Sequence, residues 1–130
     1  MIRRRIALCF TGRHGPTLWT DNLSLAAVAR ADPALDRIRI PHLPIEHYPL
    51  LSKFTRLKEI SFYWEGANDE KLLALSKLTF TNLQGISLLD CPKVTDAGVR
   101  AIASFSSLGW LKLEGTAVTD AGLAYTGNAL

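Results

Sequence analysis

A chain of 130 residues with no run of about 18 apolar residues has room for one domain of ordinary size and carries no bilayer-spanning helix. Its 48% hydrophobic and 21% charged residues exclude overall disorder, since that much apolar surface can repay the entropy of ordering a core. A net charge of +3 does not by itself point to nucleic acid, and two cysteines, Cys9 and Cys91, are too few for a disulfide scaffold and read as reduced thiols.

The chain opens with Arg3, Arg4 and Arg5 ahead of the apolar run Ile6 to Phe10. That run is shorter than the apolar stretch of about 7–15 residues in a secretion signal, and no small-x-small cleavage site follows it. An intracellular, cytoplasmic location is the expectation. A mitochondrial leader stays open as the alternative, because the first twenty residues hold four Arg and no acid, although the Gly12 to Pro16 turn signal interrupts the amphipathic helix a leader needs. Ile6-x-Leu8 is a candidate strand. Gly12 to Thr17 lacks the Gly-Lys-Ser or Gly-Lys-Thr ending of a phosphate-binding loop and reads as a plain loop. Leu23 to Arg30 reads as a short helix capped by Asp21 or Asn22, with Pro33 beyond its end.

From Leu35 onward one pattern recurs. Leu35-x-x-Ile38-x-Ile40 is followed after 22 residues by Leu57-x-x-Ile60-x-Phe62, after 26 more by Leu83-x-x-Ile86-x-Leu88 and after 25 more by Leu108-x-x-Leu111-x-Leu113. The alternating apolar pair predicts a strand with those residues inward, and the shared phase predicts that the strands stack in parallel. Pro41, Pro44 and Pro49 disrupt the unit that starts at Leu35. Leu72, Leu73, Leu75 and Leu78 have nearly helical spacing. Thr95-Asp96 and Thr119-Asp120 are predicted to cap helices, Gly98 and Gly122 to permit close backbone packing, and Val99 and Leu123 to point into the core.

Cys91 to Ile102 and Thr116 to Leu123, with their Val-Thr-Asp-Ala-Gly-Val and Val-Thr-Asp-Ala-Gly-Leu cores, resemble the Val-Thr-Asp-Ala-Gly-Leu and cysteine-containing type of leucine-rich repeat. The resemblance implies an α/β fold: a short leucine-rich-repeat solenoid with a parallel concave sheet, helices on the convex side, and a protein partner held by the sheet. On this reading residues 1–130 are a single domain. Residues 1–34 form an N-terminal cap or degenerate first repeat, 35–56 a degenerate repeat, and 57–82, 83–107 and 108–130 clearer repeats, the last truncated.

Cys91 reads as a buried core thiol and Cys9 as a surface or capping residue. His14, His42 and His47 do not make a closed ligand set, so no metal is expected, and Asp96 and Asp120 recur as caps rather than as an acid–base pair. With no convergent nucleophile, base and charge-stabilising group, no cofactor and no catalysis are expected. The outward strand positions include Glu59, Ser61, Ser87 and Glu114, and among them large aromatics and cations gather. Tyr63, Trp64 and Trp110 are the candidate anchors for a protein partner, with Arg37, Arg39, Leu89 and Lys112 around them. The expected function is therefore a noncatalytic protein–protein interaction scaffold, adaptor or assembly subunit. It would bind through the concave face and through the C-terminal end, which lacks a polar cap and invites self-association. A nucleic-acid-binding module using the same aromatics and arginines is the alternative, which Glu59, Asp90 and Glu114 argue against.

Overall fold

Alternating apolar residues become strands where turn residues bound them, and the chain does this six times. We use a computed structural model that describes residues 7–11, 14–19, 30–40 and 42–127, with side chains over 30–40 and 42–124. The strands are β1 (Ala7–Thr11), β2 (His14–Trp19), β3 (Arg37–Ile40), β4 (Glu59–Tyr63), β5 (Gly85–Leu89) and β6 (Trp110–Glu114). They lie side by side in chain order in one sheet. β1 and β2 are antiparallel, and every later neighbouring pair is parallel. A 3-10 helix, Ile45–Lys53, precedes β4. A 3-10 turn, Trp64–Gly66, and helix α1 (Asp69–Ser76) precede β5, α2 (Asp96–Ile102) precedes β6, and α3 (Asp120–Gly127) follows it.

This is one small α/β domain on a single sheet, which corrects the expectation of a curved leucine-rich-repeat solenoid with a concave sheet. The in-phase apolar residues do set a common register, Ile38 beside Ile60 beside Ile86 beside Leu111. Register, however, specifies only that neighbouring strands are parallel and which residues face inward. A solenoid needs about three or more alike stacked units. Among the described residues α-helices join only two pairs of strands, β4 to β5 and β5 to β6. The β3–β4 connection is a 3-10 helix with Pro49 inside it, and the sheet opens with an antiparallel pair rather than with another parallel unit.

Two further expectations change. Residues from His14 to Trp19, read as loop as far as Thr17, are strand, because pairing with β1 supplies their backbone partners. The predicted helix at Leu23 and its caps, and the side chain of Cys9, lie outside the described residues.

The core sits on one face of β3–β6. Ile38, Ile40, Ile60, Phe62, Ile86 and Leu88 are buried there, and Leu72, Leu75 and Ile102 from α1 and α2 close over them with Tyr48 and Leu51 from the 3-10 helix and Phe54 just after it. Each such side chain is worth about 1.5–3 kcal/mol when fully buried, so this layer dominates stability. At β6 it runs out. Leu111 and Leu113 are only half-buried, and Leu123, expected inward, is 47% exposed because no further layer lies beyond α3 among the described residues.

The strands begin on a repeated clamp. The Asp36 carbonyl accepts from the backbone N–H groups of Lys58 and Glu59, at 2.7 and 3.1 Å. The Lys58 carbonyl accepts from Gln84 and Gly85 at 2.8 and 3.0 Å, and the Gln84 carbonyl from Gly109 and Trp110 at 2.7 and 3.0 Å. A one-residue slip would turn every inward residue out, and these forks fix the start of each strand against it.

Aspartates bracket the helices in a way the sequence reading did not anticipate. Asp69 accepts from Thr95 N–H at 2.8 Å, Thr95 Oγ1–H at 2.5 Å and Gly98 N–H at 3.0 Å, so the first residue of α1 holds the start of α2. Asp96 repeats the contact one helix on, accepting from Thr119 N–H at 2.7 Å and Thr119 Oγ1–H at 2.5 Å. Asp96 therefore does not cap its own helix; Thr95 stands at that N-cap, and Asn68 caps α1. The close approach needs glycine, since a Cβ on Gly98 would lie 2.6 Å from Asp69 Oδ1 and one on Gly122 would lie 2.2 Å from Asp96 Oδ1. Asp120 has the same place on α3, with no further helix for its carboxylate to hold among the described residues.

Asp69→Ala removes the acceptor of three hydrogen bonds at once and should lower unfolding free energy by about 1–3 kcal/mol, whereas Asp120→Ala should cost under about 1 kcal/mol, the worth of its charge at a helix N-terminus. Urea unfolding of the two variants beside the parent checks this. Equal losses would refute the bracket.

Candidate functional site

With one face of the sheet turned to the core, the alternate residues of β3–β6 form the opposite face in three rows. The first runs Arg37, Glu59, Gly85, Trp110, the second Arg39, Ser61, Ser87, Lys112, and the third Tyr63, Leu89, Glu114. The structure thus gathers Arg37, Arg39, Tyr63, Leu89, Trp110 and Lys112 on one face, and places Trp64 just past the end of β4 at its margin.

Small residues occupy the middle of the face. Ser61 and Ser87 lie between Arg39 and Lys112, and Gly85 lies under Trp110. A Cβ on Gly85 would lie 1.8 Å from the Trp110 ring, so the indole rests flat on the β5 backbone. Trp110 is left 38% exposed, and Ser87, two residues on from Gly85 along the same face of β5, is buried. Sequence reasoning missed Gly85, although the 25-residue offset that aligns Ile86 with Leu111 also aligns Gly85 with Trp110.

The charges are largely paired. Arg37 makes a salt bridge with Glu59 on the neighbouring strand, and Lys112 Nζ lies 4.0 Å from Glu114 Oε2. The Arg39 guanidinium stands 5.9 Å from the centre of the Tyr63 ring, a cation–π arrangement, and the Tyr63 and Trp64 rings are tilted by 57° with centres 6.2 Å apart.

Trp64 differs from the others. Trp64, Asp90 and Gly115 occupy the same place after β4, β5 and β6, and all three have left-handed backbone, with φ of 53°, 54° and 66°. Gly and Asp tolerate this conformation, whereas a bulky side chain there is a true outlier, costing about 1–2 kcal/mol. Trp64 is also 64% exposed, so little burial offsets that cost.

Groups that could do chemistry are placed elsewhere. Cys91 is buried in the turn after β5 and its thiol donates to the Leu89 carbonyl at 3.4 Å. Burial pushes the thiol up to about 11, which keeps it protonated and a poor nucleophile near neutral pH. The Tyr48 hydroxyl is buried with no hydrogen-bond partner, and burial holds its ionisation far above the ordinary range. His42 is exposed, but His47, expected at the surface, is half-buried with Nδ1 shielded from solvent. Among the described residues no three His, Cys, Asp or Glu side chains converge as a metal-ligand set, and no helix is long and apolar enough to cross a membrane.

No protein-family model and no curated protein matches this chain. The resemblance to leucine-rich repeats is thereby confined to short sequence segments.

The hydrogen bonds from Thr119 hold Asp96 below its ordinary value, the hydroxyl contributing most and the backbone next. A carboxylate lowered in this way adds stability above its unfolded value of about 3.9, and that contribution is lost as pH falls through the folded value. The parent should therefore lose stability more steeply than Asp96→Asn on acidification from about pH 4 to pH 2. Denaturant melts of both proteins across that interval measure the difference, and parallel curves would show that the carboxylate charge is not what the bracket uses.

Proposed function

We propose that this domain is a noncatalytic protein-interaction module that holds a partner protein on the outer face of β3–β6. Trp64 is the observation that carries the reading. A large aromatic kept exposed, at a backbone position that glycine or aspartate fills after the next two strands, does nothing for the domain that its cost would justify. Trp and Tyr dominate interface hot spots, where a partner supplies the missing burial. Tyr63 and Trp64 stand on one side of the face and Trp110 on the other. Ser61, Ser87 and Leu89 form the floor between them, and Arg39 and Lys112 supply the polar border.

The local charge balance favours a protein over nucleic acid. Arg37 and Lys112 each have a carboxylate as neighbour, so two of the face's three cations are opposed, whereas a phosphate backbone calls for several unopposed ones. Catalysis finds no support in a face whose cysteine and buried tyrosine lie outside it.

Trp64→Asn separates a binding role from a structural one. Asparagine accepts left-handed backbone more readily, so the variant should keep stability within about 1 kcal/mol of the parent, or exceed it. Partner capture by the immobilised domain should nevertheless fall sharply, and Trp110→Ala should weaken it as well. Capture unchanged in both variants would sink the proposal. Loss of stability matching the loss of capture in Trp64→Asn would assign the indole to the fold instead.

A further inference from the structure

Arg39 is the cation of the outer face that the domain leaves without a counter-charge. Glu59 takes Arg37 and Glu114 lies by Lys112, whereas the exposed Arg39 guanidinium has the Tyr63 ring beside it and, among the described residues, no carboxylate. Glu65, the acid that follows Trp64, has Lys71 as an electrostatic neighbour. A ring face attracts the charge but accepts no conventional hydrogen bond, so the planar guanidinium keeps its donors for an anion. Ser61, half-buried, stands opposite Arg39 on β4 and adds a hydroxyl donor one strand away. Beyond this pair the surface turns apolar, since Trp64 follows Tyr63 and Leu89 lies opposite Tyr63 on β5.

We propose that the partner presents an acidic segment: an Asp or Glu carboxylate set on Arg39 and Ser61, with a large apolar side chain next to it packed on Tyr63, Trp64 and Leu89. This rests on the reading of the face as a protein-binding surface and adds the chemistry of the partner. Desolvation carries the argument. Tyr63 is shared between Trp64, with ring centres 6.2 Å apart, and Arg39, 5.9 Å from the ring centre, so a surface that withdraws the two aromatics from water withdraws the guanidinium with them. A charge taken out of water without a counter-charge opposes what aromatic burial returns, and a carboxylate paired with the guanidinium removes that opposition. An apolar segment would leave the charge stranded, and a basic one would add repulsion. One open cation is also too few for a phosphate backbone, whose hold grows with the number of charges neutralised.

Selection of a random-peptide library on the immobilised full chain tests the proposal with the parent, Arg39→Gln and Trp64→Asn. Arg39 is exposed, so circular dichroism should be the same for the parent and Arg39→Gln. The parent should enrich peptides in which Asp or Glu adjoins a large apolar residue. Arg39→Gln should keep the apolar preference and lose the acidic one, and Trp64→Asn should lose the apolar one. For a single enriched peptide, affinity should fall about tenfold when Arg39→Gln is used or when the peptide's acid is replaced by its amide, and little further when both are changed, the mark of a direct pair. Peptides enriched without an acid, an acidic preference that survives Arg39→Gln, or losses that simply add would overturn the acidic partner and leave the protein-binding reading standing. A parent that enriches no peptide family would also overturn it, while partner capture by Trp64→Asn decides the broader reading separately. Oligothymidylate bound by the parent and released by Arg39→Gln would overturn it in favour of a nucleic-acid partner.

Discussion

The inward row of β3–β6 is the constraint from which the other features follow. Ile38, Ile60, Ile86 and Leu111 form one line across the sheet and Ile40, Phe62, Leu88 and Leu113 the next. Because side chains alternate with a period of two, filling these lines with branched and aromatic residues also decides what stands outside. The outer rows are free of that requirement, and it is there that arginines, serines, glycine and tryptophan are found. β5 is the exception that shows how the two faces interact. With helices on one side and the Trp110 ring laid over Gly85 on the other, it is buried on both, as a central parallel strand usually is.

Helices of seven or eight residues are too short to hold themselves together in water, so their order has to come from tertiary contacts. The aspartate brackets supply part of it. Asp69 and Asp96 each sit at the start of one helix and hold the threonine and amides that start the next, so that helix ends are satisfied by a neighbouring helix as well as by local caps. The glycine three residues after each threonine belongs to the same device, because the carboxylate from the preceding helix occupies the volume a side chain would need. The four-residue sequence Thr-Asp-x-Gly therefore has two directions of use: its threonine and glycine receive the preceding aspartate, and its own aspartate reaches forward.

That double use explains what could be read from the sequence and what could not. The strands at Ile60, Ile86 and Leu111 were legible because alternation of large apolar residues is a local signal, and the outward placement of Tyr63, Trp110 and Lys112 follows from the same alternation. The role of Asp96 was not legible, since a Thr-Asp pair at a helix start is equally good as a local cap, and only the packed helices reveal that the carboxylate points at Thr119. The strand His14–Trp19 was missed because its glycine and proline are turn signals, overridden here by pairing with β1. The architecture was overextended for a related reason. Offsets of 22, 26 and 25 residues convey strand phase, but whether the intervening chain is α-helical, 3-10 or antiparallel depends on residues such as Pro49 and on neighbours that the offsets do not describe.

The outer face combines features that oppose each other within the isolated domain. Trp110 is accommodated: it lies on a glycine, so part of its area is already withdrawn from water. Trp64 is not, for its backbone is left-handed and two thirds of its side chain lies in solvent. Arg39 and Tyr63 sit between these cases, in mutual contact yet open to one side. A face assembled for stability alone would favour Asp or Gly at position 64, as the equivalent positions after β5 and β6 do, and would place no indole beside the open rim of Tyr63. On the proposed reading, the aromatic content of the face is set by something outside the domain's own packing. A protein surface that covers Trp64 and Tyr63 together would recover the hydrophobic free energy that the lone domain leaves in water.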